Sequence, residues 1–509
     1  MSRRGDVTRG AAGGLLGALA MTLVMGLLRA FAGTSWPPEL IGDRIAPLLP
    51  IAAFNQLLVM AGGYNELKQF GVAGSIAGQL VTGALVGVAY ALARRDGERR
   101  AGRLLAGTCL ALWLASLALL WPVLDTSYRG LPGAAAAITT AAALLVSYAV
   151  FGLALRAVVR YATADRATVT LAGRGISRRV MLLGGAGGAL ALATTGVVTW
   201  LYQGATFFYD GLRYSGPDVR PITPNDRFYT VTKNVIDPRV HAPLWRLEIG
   251  GLVAEPRAYT LDELRELGTI TQETTLMCIS NAVGDGLMSN ARWSGVPLRT
   301  LIERARPRPG VVEIVCRSVD SYTDTFAIEH ARSDGPLLAY EMNGEPLPDR
   351  HGYPVRLIMP GLFGEKSVKW LTRIELVDHD AKGFYESQGW GPSFVIPTHS
   401  RFDAPDLKVP QAAGLVALRG IAFAGDRGIR SVDVSVDDGR TWNAARLDYP
   451  GTRLSWALWS YDWRAATPGE HRLVVRATDG NGTLQTSLER GTVPEGATGY
   501  HRVTATIRA

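Results

Sequence analysis

Cysteine is scarce: three residues in 509, Cys109, Cys278 and Cys316, exclude a disulfide framework and any four-cysteine zinc or iron–sulfur site. Charge is thin as well. Charged residues make up 19% against 47% hydrophobic, and the mean hydropathy is +0.10, too apolar for a disordered chain and more apolar than a purely soluble one, so part of it belongs in lipid. Histidine is missing from the N-terminal two fifths. All seven (His241, His330, His351, His379, His399, His471, His501) follow residue 203, so this chain can ligate no bis-histidine haem in its apolar N-terminal segments. Those segments also hold few ionisable groups, which weakens an ion-transport reading, and no clear repeat supports a transporter. No phosphate-cradling P-loop spacing occurs, and GGAGG (184–188) lies in an apolar run rather than after a strand, so nucleotide binding is unsupported.

What is present divides in two. The net charge of +8 comes from residues 1–203, with 18 Lys/Arg against 8 Asp/Glu, while residues 204–509 carry 35 against 37. Basicity therefore belongs to the apolar half and is no nucleic-acid signal. Crossing a bilayer of about 30 Å takes about 20 residues. The runs 10–32, 71–93, 104–124, 133–159 and 180–201 meet that length. Residues 45–63 are apolar too, but Pro47 and Pro50 point to an interfacial or re-entrant segment. Asn65, Glu66 and Lys68 border the second span and read best as a solvated loop, with a quinone or partner site as the alternative. Thirteen cations lie in the connections containing Arg3, Arg94 and Arg160, against three (Arg44, Lys68, Arg129) on the alternate side. Cationic connections stay cytoplasmic, so five spans put everything after residue 203 outside the cytoplasm. Ser177-Arg178-Arg179-Val180-Met181-Leu182-Leu183 opens the fifth span and resembles a twin-arginine export signal; an ordinary positive flank reads the same way.

From 204 onward short β-rich runs alternate with Gly/Pro turns and a few amphipathic helices, such as 261–267 and Leu298–Ala305, which predicts an α+β domain. Beyond 405–410 come alternating strands with hairpin signals at Asp438-Gly439 and Asp479-Gly480, which predict an immunoglobulin-like β-sandwich. The chemistry falls in 220–400. Cys278 follows the β-like run TTLM and precedes a Gly-rich loop, where a thiolate serves as a soft metal ligand or a nucleophile and a thiol as a small hydrophobe. Cys316, in VVEIVCRSV, reads as buried and inert. His351 and Arg356, followed by a glycine turn and Lys366 and Lys369, form either a cradle for a phosphate-bearing ligand or a solvated basic loop.

Several separated motifs occur in order: TPNDRFY (223–229), CISN…NARWSGVPL (278–298), LLAYEMNGEPLPDRHGYPVRLIMPG (337–361), KSVKWLTRIEL (366–376) and VDDGRTW (436–442). On these motifs residues 220–400 resemble the molybdopterin domain of the sulfite oxidase family, and 405–509 its dimerisation domain. With the apolar runs and the strand pattern, the resemblance gives three domains: an all-α transmembrane domain at 1–203, read from the apolar runs alone, an α+β sulfite-oxidase-type molybdopterin domain at 204–404 and the immunoglobulin-like sandwich at 405–509. It also implies a molybdenum-molybdopterin cofactor with one pterin. By position, Cys278 matches the molybdenum thiolate ligand, Asn225, Phe228 and Tyr229 match pterin-lining residues, and Asp320, His351, Arg356, Ser367, Val368 and Lys369 match pterin and phosphate contacts.

Departures from the family qualify the substrate. Two arginines that hold an anionic substrate in sulfite oxidases are replaced here by Val231 and Val283, and Ala381 faces the family's active-site tyrosine, for which Tyr385 or Tyr322 can substitute. A pocket without those cations strips water from an oxyanion without compensation. It is closer to the branch containing the periplasmic methionine sulfoxide reductase. The expectation is oxygen-atom transfer on a small S- or N-oxide by an enzyme of a bacterial cell membrane, multi-pass, with its catalytic domain extracytoplasmic. Sulfite oxidation proper and a non-catalytic, membrane-anchored scaffold are the alternatives. No haem or Fe–S is expected in the chain, so electrons pass to or from a quinone, a membrane cytochrome or a soluble carrier. A homodimer is possible by the resemblance, and cytoplasmic loading of the cofactor favours twin-arginine export in the folded state.

Overall fold

A computed structural model describes residues 3–163, 168–171 and 174–509; the side chains of 164–180, including Arg178 and Arg179 of the twin-arginine-like stretch, lie outside the described ones. The chain forms two compact units, one of Met1–Phe208 with Asn234–Pro238 and Val319–Ser321, the other of Tyr209–Lys233, Arg239–Ser318 and Tyr322–Ala509.

In the first unit five helices are long and apolar enough to cross a membrane: Arg3–Ala32, Tyr64–Asp96, Glu98–Val123, Gly133–Thr163 and Met181–Gln203. In lipid, backbone polar groups have no water to bond, so uninterrupted apolar runs close their hydrogen bonds within the helix. Most helices outrun the apolar stretches because polar flanks continue the same turns. The stretch expected as a loop at Asn65–Lys68 is the first turn of the second long helix: Lys68 is buried there, donates to Thr206 Oγ1 at 3.3 Å and lies 4.5 Å over the Tyr64 ring. Within 45–63, Pro50 precedes the eleven-residue helix Ile51–Ala61, which Gly62 ends at φ 91°. At 1.5 Å per residue such a helix reaches about 16 Å, half a bilayer.

Glycines set how the first two long helices pack. A Cβ at Gly10 would sit 2.6 Å from Gly87 O, one at Gly83 would sit 2.7 Å from Ala18 Cβ, and one at Gly14 would overlap the Gly83 carbonyl. Gly10/Gly14 and Gly83/Gly87 are each four apart, so each pair lies on one helical face and brings backbone against backbone. Dispersion across this seam replaces the hydrophobic drive that lipid removes. Polar groups are paired at the helix ends, with Arg29 on Glu39 at 2.9 Å and Arg95 on Asp6 at 2.6 Å.

The second unit opens with two five-stranded sheets. One runs in the order Glu345–Pro346, Leu337–Met342, Met288–Pro297, Ile270–Met277, with Arg356–Ile358 also on Leu337–Met342. The other runs Arg257–Tyr259, Leu247–Gly251, Leu371–Val377, Glu313–Ser318, Thr323–Ala327, with one parallel pair, Leu247–Gly251 on Leu371–Val377. Strand Met288–Pro297 is buried on both faces, which fits its near-continuous run of small and apolar residues. After 398 a four-stranded and a five-stranded sheet enclose one core around Leu418, Val432, Trp459, Trp463 and Leu473. Asp438 and Gly439, at φ 62° and 85°, make the tight turn that their dipeptide predicts.

Replacing Gly14 by Val should force the first two long helices apart and destabilise the bundle by about 1–3 kcal/mol. Gly74, where an added Cβ meets nothing within 4 Å, is the control. Thermal unfolding in detergent should show Gly14→Val melting well below wild type and Gly74→Val unchanged; equal melting of the two would contradict the seam.

Candidate functional site

Cys278 stands immediately after strand Ile270–Met277, at a turn. Its amide donates to Leu287 O at 3.0 Å and its carbonyl accepts from Asn281 N at 3.0 Å, so the chain reverses and leaves the thiol at the edge of the sheet. Half-buried, it rests with Val231 against the Phe228, Tyr229 and Trp293 cluster, its Sγ 3.0 Å from Ser280 Oγ. Burial, reinforced by the Glu365 carboxyl, pushes the thiol up to about 11. A proton holds this sulfur at neutral pH unless a cation displaces it, which suits a soft metal ligand rather than a free nucleophile. Among the described residues no cluster of three or more His, Cys, Asp or Glu is placed to hold a metal.

The remaining walls come from three separated segments. Phe228 stacks on Tyr229 at 5.5 Å and meets Trp293 and His351 edge-on at 5.6 and 5.4 Å. Tyr229 is pinned by its amide on Ser289 Oγ at 3.0 Å, and burial holds its hydroxyl well above the usual phenol range, so it is a neutral donor. The Asn225 carbonyl bonds His351 Nε2 at 2.9 Å and accepts from Arg350 at 3.0 Å, while Asn225 Oδ1 accepts from Asn343 at 2.8 Å. His351 is almost fully buried, and burial with the nearby Arg356 charge drives its imidazole far below its ordinary range. It is therefore neutral, carrying its proton on the Nε2 that faces a carbonyl.

Arg356 is 5% exposed. One terminal nitrogen donates to His351 O and the other to Ser367 O, both at 3.1 Å, and the guanidinium lies 5.0 Å from the Trp293 ring. No carboxylate among the described residues pairs with it, its Nε is buried without a partner, and burial lowers it to about 10. Lys369 Nζ donates to Arg350 O at 3.2 Å, Ser367 Oγ accepts from Met359 N at 3.0 Å, and Val368 O accepts from Leu357 N at 2.8 Å. Gly352, at φ 110°, admits this approach: a Cβ there would press on Arg356 and Lys369 at 3.0 and 3.1 Å. A buried, charge-uncompensated arginine beside a lysine, a neutral histidine, an aromatic wall and one thiol fit a phosphate-bearing pterin that carries a soft metal.

Not every expected residue joins this group. Asp320 belongs to the helical unit, where it accepts from Asn234 Nδ2 at 2.8 Å. Lys366 turns away from the cradle: it is buried, donates to Asp324 at 2.7 Å and to Thr325 O at 2.9 Å, and lies 3.8 Å from the Phe394 ring. Tyr322 is engaged with Asp324 at 2.6 Å and Glu365 O at 3.2 Å, and Tyr385 meets its ring edge-on at 6.0 Å. Cys316 is fully buried, as a small hydrophobe.

Glu365 is the residue that the sequence left unmarked. Both of its carboxylate oxygens are buried without a hydrogen-bond partner among the described residues, and burial, reinforced by Asp324, raises it to about 8. The only sequence signal is its place after Gly364, where any Cβ would collide with the Tyr229 hydroxyl.

Residues 234–385 match the oxidoreductase molybdopterin binding domain and 398–507 the Mo-co oxidoreductase dimerisation domain. Mitochondrial sulfite oxidase of Rattus norvegicus is 31% identical over 314 residues, 52% of this chain and 57% of that protein. Sulfite oxidase of Gallus gallus is 30% identical, over 52% of this chain and 68% of that protein. Nitrate reductase [NADH] of Solanum lycopersicum is 27% identical, over 48% of this chain and 34% of that protein. The chain thus spans between about a third and two thirds of the length of these relatives. Among solved structures, the sulfane dehydrogenase SoxCD from Paracoccus pantotrophus superposes with a TM-score of 0.51 at 24% identity, covering 57% of this chain and 84% of that one, a likeness of fold.

The raised Glu365 carboxyl carries a proton in the folded protein between about pH 4.5 and about 8 that the unfolded chain has lost. Stability from this group therefore falls as pH rises through that window. Unfolding of metal-free wild type and Glu365→Gln across pH 5–9 should show the variant gaining on wild type up to about pH 8 and level above it; a pH-independent difference would contradict the burial assigned to Glu365.

Proposed function

This chain belongs to the sulfite oxidase family of molybdopterin-dependent oxidoreductases, and we propose that it is a membrane-anchored enzyme transferring an oxygen atom from a small, neutral S- or N-oxide. The observation that carries this reading is the surroundings of Cys278. Val231 and Cys278 pack against the same aromatic cluster, Val283 follows in the same loop, and the charges acting on the thiol come from the acids Glu365 and Asp210. Arg356 donates to the carbonyls of His351 and Ser367, and Lys369 to those of Arg350 and Val231. Such surroundings disfavour a divalent oxyanion and accept a neutral oxide.

A bound molybdenum–pterin supplies two-electron oxygen-atom transfer, R2SO + 2H⁺ + 2e⁻ giving R2S + H2O. Toward that group Cys278 would serve as the thiolate ligand of the metal. Arg356 and Lys369 neutralise the phosphate, Asn225 and neutral His351 fix the ring system, and Phe228, Tyr229 and Trp293 exclude water. In the same reading residues 1–203 span the membrane with their arginine-rich connections inside, and 204–404 and the immunoglobulin-like 405–509 lie outside, after twin-arginine export. The dimerisation-type domain forms a homodimer, and a quinone, membrane cytochrome or soluble carrier exchanges the electrons. Sulfite oxidation proper is the second reading, favoured by the relatives that carry that name.

The test is a substrate panel with detergent-purified, metal-loaded protein: reduction of methionine sulfoxide, dimethyl sulfoxide and trimethylamine N-oxide beside oxidation of sulfite. Wild type should favour the oxides. Val231→Arg with Val283→Arg should lower kcat/KM for them by about tenfold or more and raise it for sulfite. Wild type oxidising sulfite faster than it reduces any oxide would overturn the substrate assignment.

A further inference from the structure

The first turns of the helix Glu98–Leu120, with the turn before it, line an open cleft of about 1080 Å³ along one helix face, and its character changes along its length. Arg99, Arg100 and Arg103 line one end, and Leu104, Gly107 and Ala111 continue it. Positions 100, 103, 104, 107 and 111 follow one helical face, so the charged end and the apolar stripe are continuous.

The charge at this end is not balanced. Glu98 is already shared by Arg94 at 2.6 Å, Arg160 at 3.8 Å and Arg156 at 3.9 Å, and Asp6 is taken by Arg95 at 2.6 Å. Arg99, Arg100 and Arg103 are exposed and make no ion pair among the described residues, with Asp96 as the remaining acid of the cleft wall. The stripe beyond them offers no polar group to compete. Thr108 turns its hydroxyl onto Leu104 O at 2.9 Å, and Leu104 is 53% exposed. Gly107 differs from the glycines of the helix seam: a Cβ there meets nothing within 4 Å, so no packing inside the chain requires it to be small.

We propose that this cleft binds an anionic phospholipid, its phosphate between Arg99, Arg100 and Arg103 and an acyl chain along Leu104, Gly107 and Ala111. The proposal rests on the reading that this helix crosses a bilayer with its arginine end at the surface. Three uncompensated guanidinia at that depth attract a phosphodiester, and Arg presents a planar fork that matches it. The apolar continuation selects a lipid over free phosphate, because only a lipid occupies both ends.

The full chain is reconstituted into nanodiscs of phosphatidylcholine with a minor fraction of phosphatidylglycerol, and the lipid retained after partial delipidation is counted by native mass spectrometry. Wild type should retain phosphatidylglycerol selectively. The triple variant Arg99→Gln/Arg100→Gln/Arg103→Gln should weaken that preference on the order of a hundredfold, and a single Arg→Gln about fivefold. Gly107→Leu, which leaves every charge in place, should also reduce retention by obstructing the acyl path. Equal retention by the triple variant and wild type overturns the site, as does displacement of the lipid by millimolar inorganic phosphate. A chain that alkaline carbonate strips from membranes without detergent overturns the spanning reading itself; a chain that stays embedded but shows no lipid preference overturns only the site.

Discussion

Arg356 donates to the carbonyls of His351 and Ser367 from a position almost closed to solvent, with no carboxylate to balance it among the described residues. Removing an unpaired charge from water costs several kcal/mol, so a fold tolerates it only where dipoles hold it or where a counter-ion is meant to arrive. Both conditions meet here. Two carbonyl dipoles and the face of Trp293 hold the guanidinium, which burial lowers only to about 10, so it stays charged. Burial first, and then its field with those of Lys369 and Arg350, keeps His351 neutral. The loops 349–352 and 364–369 are thereby stitched together around a positive, aromatic-lined concavity that complements a phosphate-bearing ring system.

Some side chains near this concavity do other work. The buried Lys366–Asp324 pair, with Thr325 O and Glu386 completing the lysine's donors, braces the 364–366 turn from behind. Breaking such a pair leaves an uncompensated charge, so its role is structural even though it sits next to Ser367, an expected cofactor contact. Glu365 keeps a proton because burial, reinforced by the Asp324 charge, raises its carboxyl to about 8.

Much of this was legible beforehand because the signals are local. The five apolar runs became helices that differ mainly at their polar ends, and Asp438-Gly439 turned where its dipeptide demands positive φ. Cys278, Asn225, Phe228, Tyr229, His351 and Arg356 came from motifs that read without a partner. What stayed hidden depends on long-range placement. Lys366 and Lys369 look alike in GEKSVKW; only the return of Asp324 from 42 positions upstream separates them. Gly364 is held small by the Tyr229 hydroxyl, and the RGAAGGLLG glycines of the first helix gain meaning only once Gly83 and Gly87 face them. Asp320 reads as a pterin contact by position, yet it is a hydrogen-bond partner of Asn234 in the helical unit.

The central claim is that one thiol and one unbalanced cradle cation hold a molybdenum–pterin. The most direct measurement is molybdenum and pterin content per chain, on wild type beside Cys278→Ser and Arg356→Met. The account predicts about one of each in wild type, loss of both in Arg356→Met, and pterin retained with molybdenum diminished in Cys278→Ser. Wild type free of molybdenum, purified from cells that load a control molybdoenzyme, would contradict it.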